Sequence, residues 1–307
     1  MIGRLFIDGE DAYVTYCVAV CQGGYDRLVE FPKPKKYTTT DWHEEDGIEI
    51  DENMMMFDGR QVAINFVCYG SEEQYQSFIG AISDGVVHTF NFAAISLSCG
   101  MRYVSCSSYQ QGKGFSKFTI TFGIDVDIFS GYTYATPTLS QYGNNGNQFN
   151  LMSFRCFGMS ILGDYKNELF KATNAKKALQ VSYDDENGLQ YDNGDDVKFE
   201  QRKSKLQFLM QSDTWGDLWQ RWYALLYNIA NPGKKHLLTI DDIEDYQFTV
   251  WYDGMNVEQL FTHNGKVAVK FSIDFYSQYG EDESDLTALI TESDEVVTTE
   301  DGFTIEV

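Results

Sequence analysis

The sequence predicts a mainly β chain built from two tandem copies of one domain, each a β-sandwich or split barrel with a single helix packed on its side. Three observations predict it. Residues 28–36, LVEFPKPKK, return as 169–177, LFKATNAKK, 141 positions later. Each copy then has an apolar run of period 2 followed at once by an amphipathic helix pattern. Further alternating runs follow the helix in the same order in both copies, and such ordered self-similarity marks a repeat.

The elements follow in turn. At the same offset, Asp46-Gly47-Ile48-Glu49-Ile50-Asp51 lies over Asn187-Gly188-Leu189-Gln190-Tyr191-Asp192, and at offset 142 Arg60 lies over Arg202. Ile64, Phe66 and Cys68 alternate as a half-buried strand, matched by Leu206, Phe208 and Met210. Ser71 is then a good N-cap, with Glu72 and Glu73 in the first turn and Gln74 at the capping-box position. Tyr75, Phe78, Ile79 and Ile82 share one helical face, and Gly85 ends the helix. In the second copy Asp213 is the expected cap. Trp215, Leu218, Trp219, Trp222, Leu226 and Ile229 form the stripe, and Pro232-Gly233 stops it.

Strands resume at Phe90/Phe92 and at Leu238/Ile240, then at Met101/Tyr103 and at Tyr246/Phe248/Val250. The last pair is the clearest: Phe118, Ile120 and Phe122 in copy one, and Val267, Val269, Phe271, Ile273 and Phe275 in copy two. Here Lys117-Phe118-Thr119-Ile120 lies over Lys270-Phe271-Ser272-Ile273 at offset 153. The expected organisation is a first repeat over 1–129, a linker or elaborated connection over 130–150, a second repeat over 151–280, and an acidic tail or arm over 281–307. That last stretch carries ten Asp/Glu and no Lys or Arg, yet keeps apolar alternation at Phe303, Ile305 and Val307.

Composition narrows the class. Of the 307 residues, 43% are hydrophobic and 15% aromatic, enough to bury a core of two-domain size. No run reaches the roughly 18 apolar residues that a membrane helix needs. The N-terminus is broken by Asp8 and Glu10 and does not read as a secretory signal, so a chain made and folded in a cytoplasm is expected. The net charge is −23, and −13 remains without residues 281–307. That sign argues against clamping nucleic acid or an anionic membrane.

No chemistry-bearing motif stands out. The six cysteines, Cys17, Cys21, Cys68, Cys99, Cys106 and Cys156, lack paired zinc spacing and read as buried reduced thiols. GxSxG, HExxH and GxxxxGK[ST] are absent, and Gly112-Lys113-Gly114 is only a glycine-rich turn. His43, His88, His236 and His263 are scattered. His88 and His236 share one repeat position at offset 148, which suggests a structural role. Trp42-His43-Glu44-Glu45-Asp46 has no imidazole in its counterpart, Asp184-Asp185-Glu186-Asn187, and reads as a solvated turn. Asp192-Asn193-Gly194-Asp195-Asp196 fails the calcium-loop register. The tryptophan stripe reads as core or subunit contact rather than a sugar platform. No catalytic, cofactor or metal residue is expected, and no enzyme activity.

On these parts, each copy resembles the N-terminal domain of distal tail proteins of long-tailed bacteriophages, a relative of the tail-tube fold. The shared order is a segment ending in Lys35-Lys36 or Lys176-Lys177, a strand start at Asp46-Gly47 or Asn187-Gly188, an alternating strand, a helix, and a strand near Phe90 or Leu238. Copy two, through FGMSILGDYKNELFKATNAKKALQVSYDDENGLQYD, is also similar to proteins of prophages of gut Bacteroidetes. The resemblance implies a structural virion protein at the tail tip, assembled in the bacterial host cytoplasm without a membrane anchor. Its implied partners are copies of itself in a trimeric or hexameric ring, the tail-tube protein and tail-tip or baseplate proteins. DNA would pass through the channel without specific binding. Two tube-like units in one chain depart from the usual single unit and resemble baseplate hub proteins. The rival reading is a carbohydrate- or host-receptor-binding β-sandwich, whose feature would be the tyrosine-rich stretch Tyr132, Tyr134 and Tyr142.

Overall fold

The computed structural model describes residues 4–21, 24–35, 39–42, 44–50, 56–125, 132–177, 180–181, 190–191, 197–230, 236–243 and 247–277. The acidic stretch 281–307, His43, Asp184 to Asn187, Asp192 to Asp196 and Pro232-Gly233 lie outside the described residues.

Strands dominate. The first half runs β1 (Leu5–Ile7), β2 (Glu10–Asp11), α1 (Ala12–Tyr16), β3 (Val18–Val20), a 3-10 turn (Asp26–Val29), β4 (Thr39–Thr40), β5 (Glu49–Ile50), β6 (Arg60–Cys68), α2 (Glu72–Ile82), β7 (Val87–Phe92), β8 (Leu97–Gly112) and β9 (Phe115–Ile124). The second runs β10 (Gln148–Phe149), β11 (Met152–Ser153), α3 (Phe154–Phe157), β12 (Met159–Leu162), α4 (Tyr165–Phe170), β13 (Gln180–Val181), β14 (Gln190–Tyr191), β15 (Arg202–Ser212), α5 (Trp215–Ala230), β16 (His236–Thr239), β17 (Gln247–His263) and β18 (Lys266–Ser277).

The main sheets are seven-stranded, in the orders β2-β1-β7-β8-β9-β6-β3 and β11-β10-β16-β17-β18-β15-β12. The two orders correspond place for place, and each half adds a two-stranded hairpin, β4-β5 or β13-β14. Every pairing is antiparallel, with Phe66 opposite Phe118 and Phe208 opposite Phe271. The seven strands of each main sheet are hydrogen-bonded in one continuous order. The longest strand of each, β8 or β17, carries two shifts of register, which bend a strand locally.

Local sequence explains the long elements. On β6, Val62, Ile64, Phe66 and Cys68 are buried, and on β15 Leu206, Phe208 and Met210 are, so the period-2 residues are the core face. Ser71 caps α2 with a complete capping box, its side chain and that of Gln74 each taking the other's backbone N–H. Phe78 and Ile82 are buried beneath it. Between β17 and β18, Asn264 and Gly265 both have positive φ (50° and 74°), as a tight hairpin turn of the primed type requires.

Two expectations change. Each half holds more than one helix. Asp11 and Ser153 cap the single turns α1 and α3, and left-handed residues, Cys17 (φ 57°) and Gly158 (φ 64°), close them. Turns of five and four residues are too short for a helical period to show in the letters. The cap of α5 is Thr214, whose Oγ1 accepts the Asp217 N–H at 3.2 Å. Asp213 instead turns outward to Tyr142 (2.9 Å), Gln141 (3.1 Å) and Lys266. Within the stretch 130–150, Gln148 and Phe149 form β10, with Gln148 opposite Thr239 in the second sheet.

Most buried apolar side chains form one cluster from Leu5 to Phe275 that crosses from one half to the other. No helix among the described residues is long and apolar enough to cross a membrane.

Candidate functional site

The feature that stands out is the seam where the two sheets meet. It is built mainly from the turn Asp26–Val29 and the residues just after it. Leu28 and Val29 are buried there, as is Phe31. The Arg60 guanidinium, at the start of β6, holds this segment from inside, donating to the carbonyls of Leu28 (2.7 Å) and Glu30. Burial lowers its pKa from the ordinary arginine value.

The second half reads the other side of the same segment. The Trp222 indole N–H donates to the Val29 carbonyl at 3.2 Å, and the Tyr252 hydroxyl to the Phe31 carbonyl at 3.2 Å. The Trp219 indole donates to the Ile95 carbonyl at 2.7 Å. Two carboxylates meet β17 amides: Glu30 Oε1 accepts from Val257 N (3.2 Å) and Asp26 Oδ1 from Leu260 N (3.1 Å). Val257 borders a register shift in the β17–β18 ladder, where an amide lacks a regular strand partner. Burial raises the pKa of both carboxyls, opposed by these amide hydrogen bonds. Buried backbone groups at the joint are thus paired across it, as desolvation demands.

The β4–β5 hairpin extends the seam. Lys176 pairs with Asp41 at 2.6 Å and donates to the Trp42 carbonyl at 2.7 Å. Gly47 N donates to the Phe199 carbonyl (2.8 Å), and the Asp46 carboxylate takes the Phe199 N–H (2.7 Å). Ile50 packs on Trp251 in a small second cluster. Of the described acids in the Trp42–Asp46 stretch, Asp46 serves the joint, while Glu44 and Glu45 are exposed.

The other residues singled out in the sequence fall as follows. Trp219 and Trp222 are buried at the seam, and Trp215 stacks on Trp219 with centroids 5.5 Å apart. His88 bridges Asp8 (2.6 Å) and Asp84 (3.0 Å), which raise its pKa. His236 is buried against Asn150, and burial lowers its pKa to about 4. Tyr134 stacks on Tyr227 at 4.9 Å, Tyr132 lies on Tyr223 and Tyr227, and the Tyr142 hydroxyl donates to Asp213. All three tyrosines are engaged inside the chain. Lys113-Gly114 is the turn of the β8–β9 hairpin, with Gly114 at φ 83°. All six cysteines are free thiols, and only Cys68 is fully buried. The described residues contain no group of three His, Cys, Asp or Glu arranged to hold a metal ion.

Sequence reading missed Asp26, Glu30 and Arg60 as joint residues. Arg60 had a signal in its repeat partner Arg202, but the two acids had none, because Asn167 and Lys171 hold their places in the second copy.

Comparison with known proteins returns little. No family profile matches the chain. No curated protein matches. Among solved structures, the chain is similar to the crystal structure of the SPP1 Dit (gp 19.1) protein, described as a paradigm of the hub adsorption apparatus in phages infecting Gram-positive bacteria. That match covers 91% of this chain and 100% of the other, at 11% identity and a TM-score of 0.29. A superposition at that score does not define a shared fold, and the functional reading rests on the chain's own architecture.

Proposed function

We propose that this chain is a tandem duplication of one tube-like domain, spanning about 1–129 and 151–280. In this reading it serves as a structural protein of a bacteriophage tail, a distal-tail or baseplate hub ring. It joins the tail tube to the tail tip and forms part of the DNA channel. The observation that carries the reading is the pair of seven-stranded sheets with the same strand order, joined through a hydrogen-bonded seam. Two like units fixed at one relative orientation supply a building block for a closed ring.

Charge supports the channel. DNA carries about one negative charge per 1.7 Å of axis, so a basic lumen would hold it and an acidic one leaves it mobile. The net charge of −23 suits the second case. The work of such a protein is assembly, and no turnover is assigned to it. The receptor-binding alternative would have used Tyr132, Tyr134 and Tyr142, whose rings or hydroxyls are occupied within the chain.

Electron microscopy of the purified full-length protein tests the proposal. Closed rings with a central opening, and Asp/Glu exceeding Lys/Arg on the lumen, are the expected result. A protein that stays monomeric at every concentration, or that binds duplex DNA tightly and salt-sensitively, overturns it.

A further inference from the structure

The seam between the halves is not two-fold. The segment from Asp26 to Phe31 of the first half lies on β17 of the second, but the matching segment of the second half does not lie on β8 of the first. One copy of each joining surface is left uncovered.

Strand register locates both. Tyr103 faces Phe122, Ser105 faces Thr121 and Gln111 faces Ser116, while Tyr252 faces Phe275, Gly254 faces Asp274 and Leu260 faces Val269. Tyr103, Ser105 and Gln111 therefore hold in β8 the places of Tyr252, Gly254 and Leu260 in β17. Trp251, Tyr252, Gly254, Met255 and Val257 are buried, but from Ser105 to Gly112 every β8 residue except half-buried Cys106 is exposed. The same strand of the fold is covered in one half and bare in the other.

The donor segment shows the converse. Leu28 and Leu169 are both buried at 1% exposure. The next residue differs: Val29 is 5% exposed, whereas Phe170 is 45% exposed. Phe31 is buried, but Ala172 at its place is exposed. One edge of Phe170 packs on Phe248 of its own half, centroids 5.5 Å apart, and the rest of the ring stays open next to a buried anchor.

We propose that the α4 segment of one chain, Tyr165 to Ala172, docks on the outer face of β8 in a second copy of this chain. This repeats between chains the joint that Asp26–Phe31 and β17 make within one, and it rests on the ring reading above. The contact is head to tail, so it propagates until a ring closes. Asn167 and Lys171 replace Asp26 and Glu30, so the joint between chains lacks those two carboxylates on β-strand amides.

Complementation of two damaged surfaces tests the joint. Ser105→Arg places a bulky charge at the position where, in β17, the Lys33 side chain passes over Gly254, and so blocks the acceptor. Phe170→Glu spoils the donor, and Ala172→Glu at an exposed position serves if the first lowers the melting temperature. Analytical ultracentrifugation of full-length protein is the readout. Each variant alone should be monomeric under conditions where the wild type assembles. An equimolar mixture should give a 1:1 dimer that grows no further, because only one intact joint remains. Variants that assemble like the wild type, or a mixture that stays monomeric, overturn the proposed joint and leave the ring reading standing. A wild type that never assembles overturns both.

Discussion

Asp8 and Asn150 hold the same place in the two halves of the chain. Both have φ of 50°, and both clasp a neighbouring strand twice. Asp8 N donates to the Thr89 carbonyl (2.9 Å) and its Oδ1 takes the Thr89 N–H (2.8 Å). Asn150 does the same with Leu237 at 2.7 and 2.8 Å. Asp and Asn tolerate this left-handed conformation better than most residues. The second side-chain atom then meets an imidazole: Asp8 Oδ2 lies 2.6 Å from His88 Nδ1, and Asn150 Nδ2 lies 3.0 Å from His236 Nδ1.

The two histidines titrate in opposite directions: hydrogen bonds to Asp8 and Asp84 raise the pKa of His88, and burial lowers that of His236. Asp8 raises the pKa of His88, so its stabilisation is fully present below the unfolded value near 6.5 and is lost as pH rises through the folded value. His236 is held neutral and its pKa falls to about 4. Its contribution is present above 6.5 and is lost as pH falls toward 4, by about 3 kcal/mol in all. NMR titration should show one histidine above and one far below 6.5. His236→Gln should flatten the acid limb of the stability profile, and an unchanged limb would contradict the assignment.

The seam carboxyls respond with the opposite sign to most acids. Burial raises the pKa of Asp26 and Glu30, so their ionisation disfavours the fold, and their contribution improves as pH falls through the raised values. Glu30→Gln keeps an acceptor for Val257 N without the charge, and should leave stability at pH 7 unchanged or higher. Glu30→Ala leaves that amide unpaired and should cost about 1–2 kcal/mol. Denaturant melts at pH 7 distinguish the two.

Trp222 ties the halves together through its indole N–H on the Val29 carbonyl, and within its own half its ring meets Phe271 edge to face, centroids 4.8 Å apart. Trp222→Phe should cost about 2–4 kcal/mol, combining a cavity with an orphaned carbonyl. Because the core is continuous, a single cooperative melt should shift. A split into two transitions would mean the halves unfold independently.

Helix capping gives a sharper contrast. Thr214→Ala removes the acceptor of the Asp217 N–H and should cost about 1 kcal/mol, like Ser71→Ala on α2. Asp213→Ala acts only through exposed contacts and should cost less. The reverse ranking in thermal melts would show that Asp213 is the cap after all.

The parts of this fold whose cause is local can be read from the chain's letters. Alternation at Ile64, Phe66 and Cys68, or at Leu206, Phe208 and Met210, marks the buried face because strand side chains have period 2. The Ser71/Gln74 capping box is readable because its donors lie within four residues. Tertiary structure alone decided the joint. Asp26 and Glu30 look like surface acids, and their partners Leu260 and Val257 lie more than two hundred residues away. The letters mark β17, with Met255, Val257 and Leu260, as more apolar than the Ser- and Gln-rich end of β8, but they do not say what covers it. Burial of a sheet face depends on what packs against it, and hydrophobic patterning specifies a face to be hidden without naming what hides it.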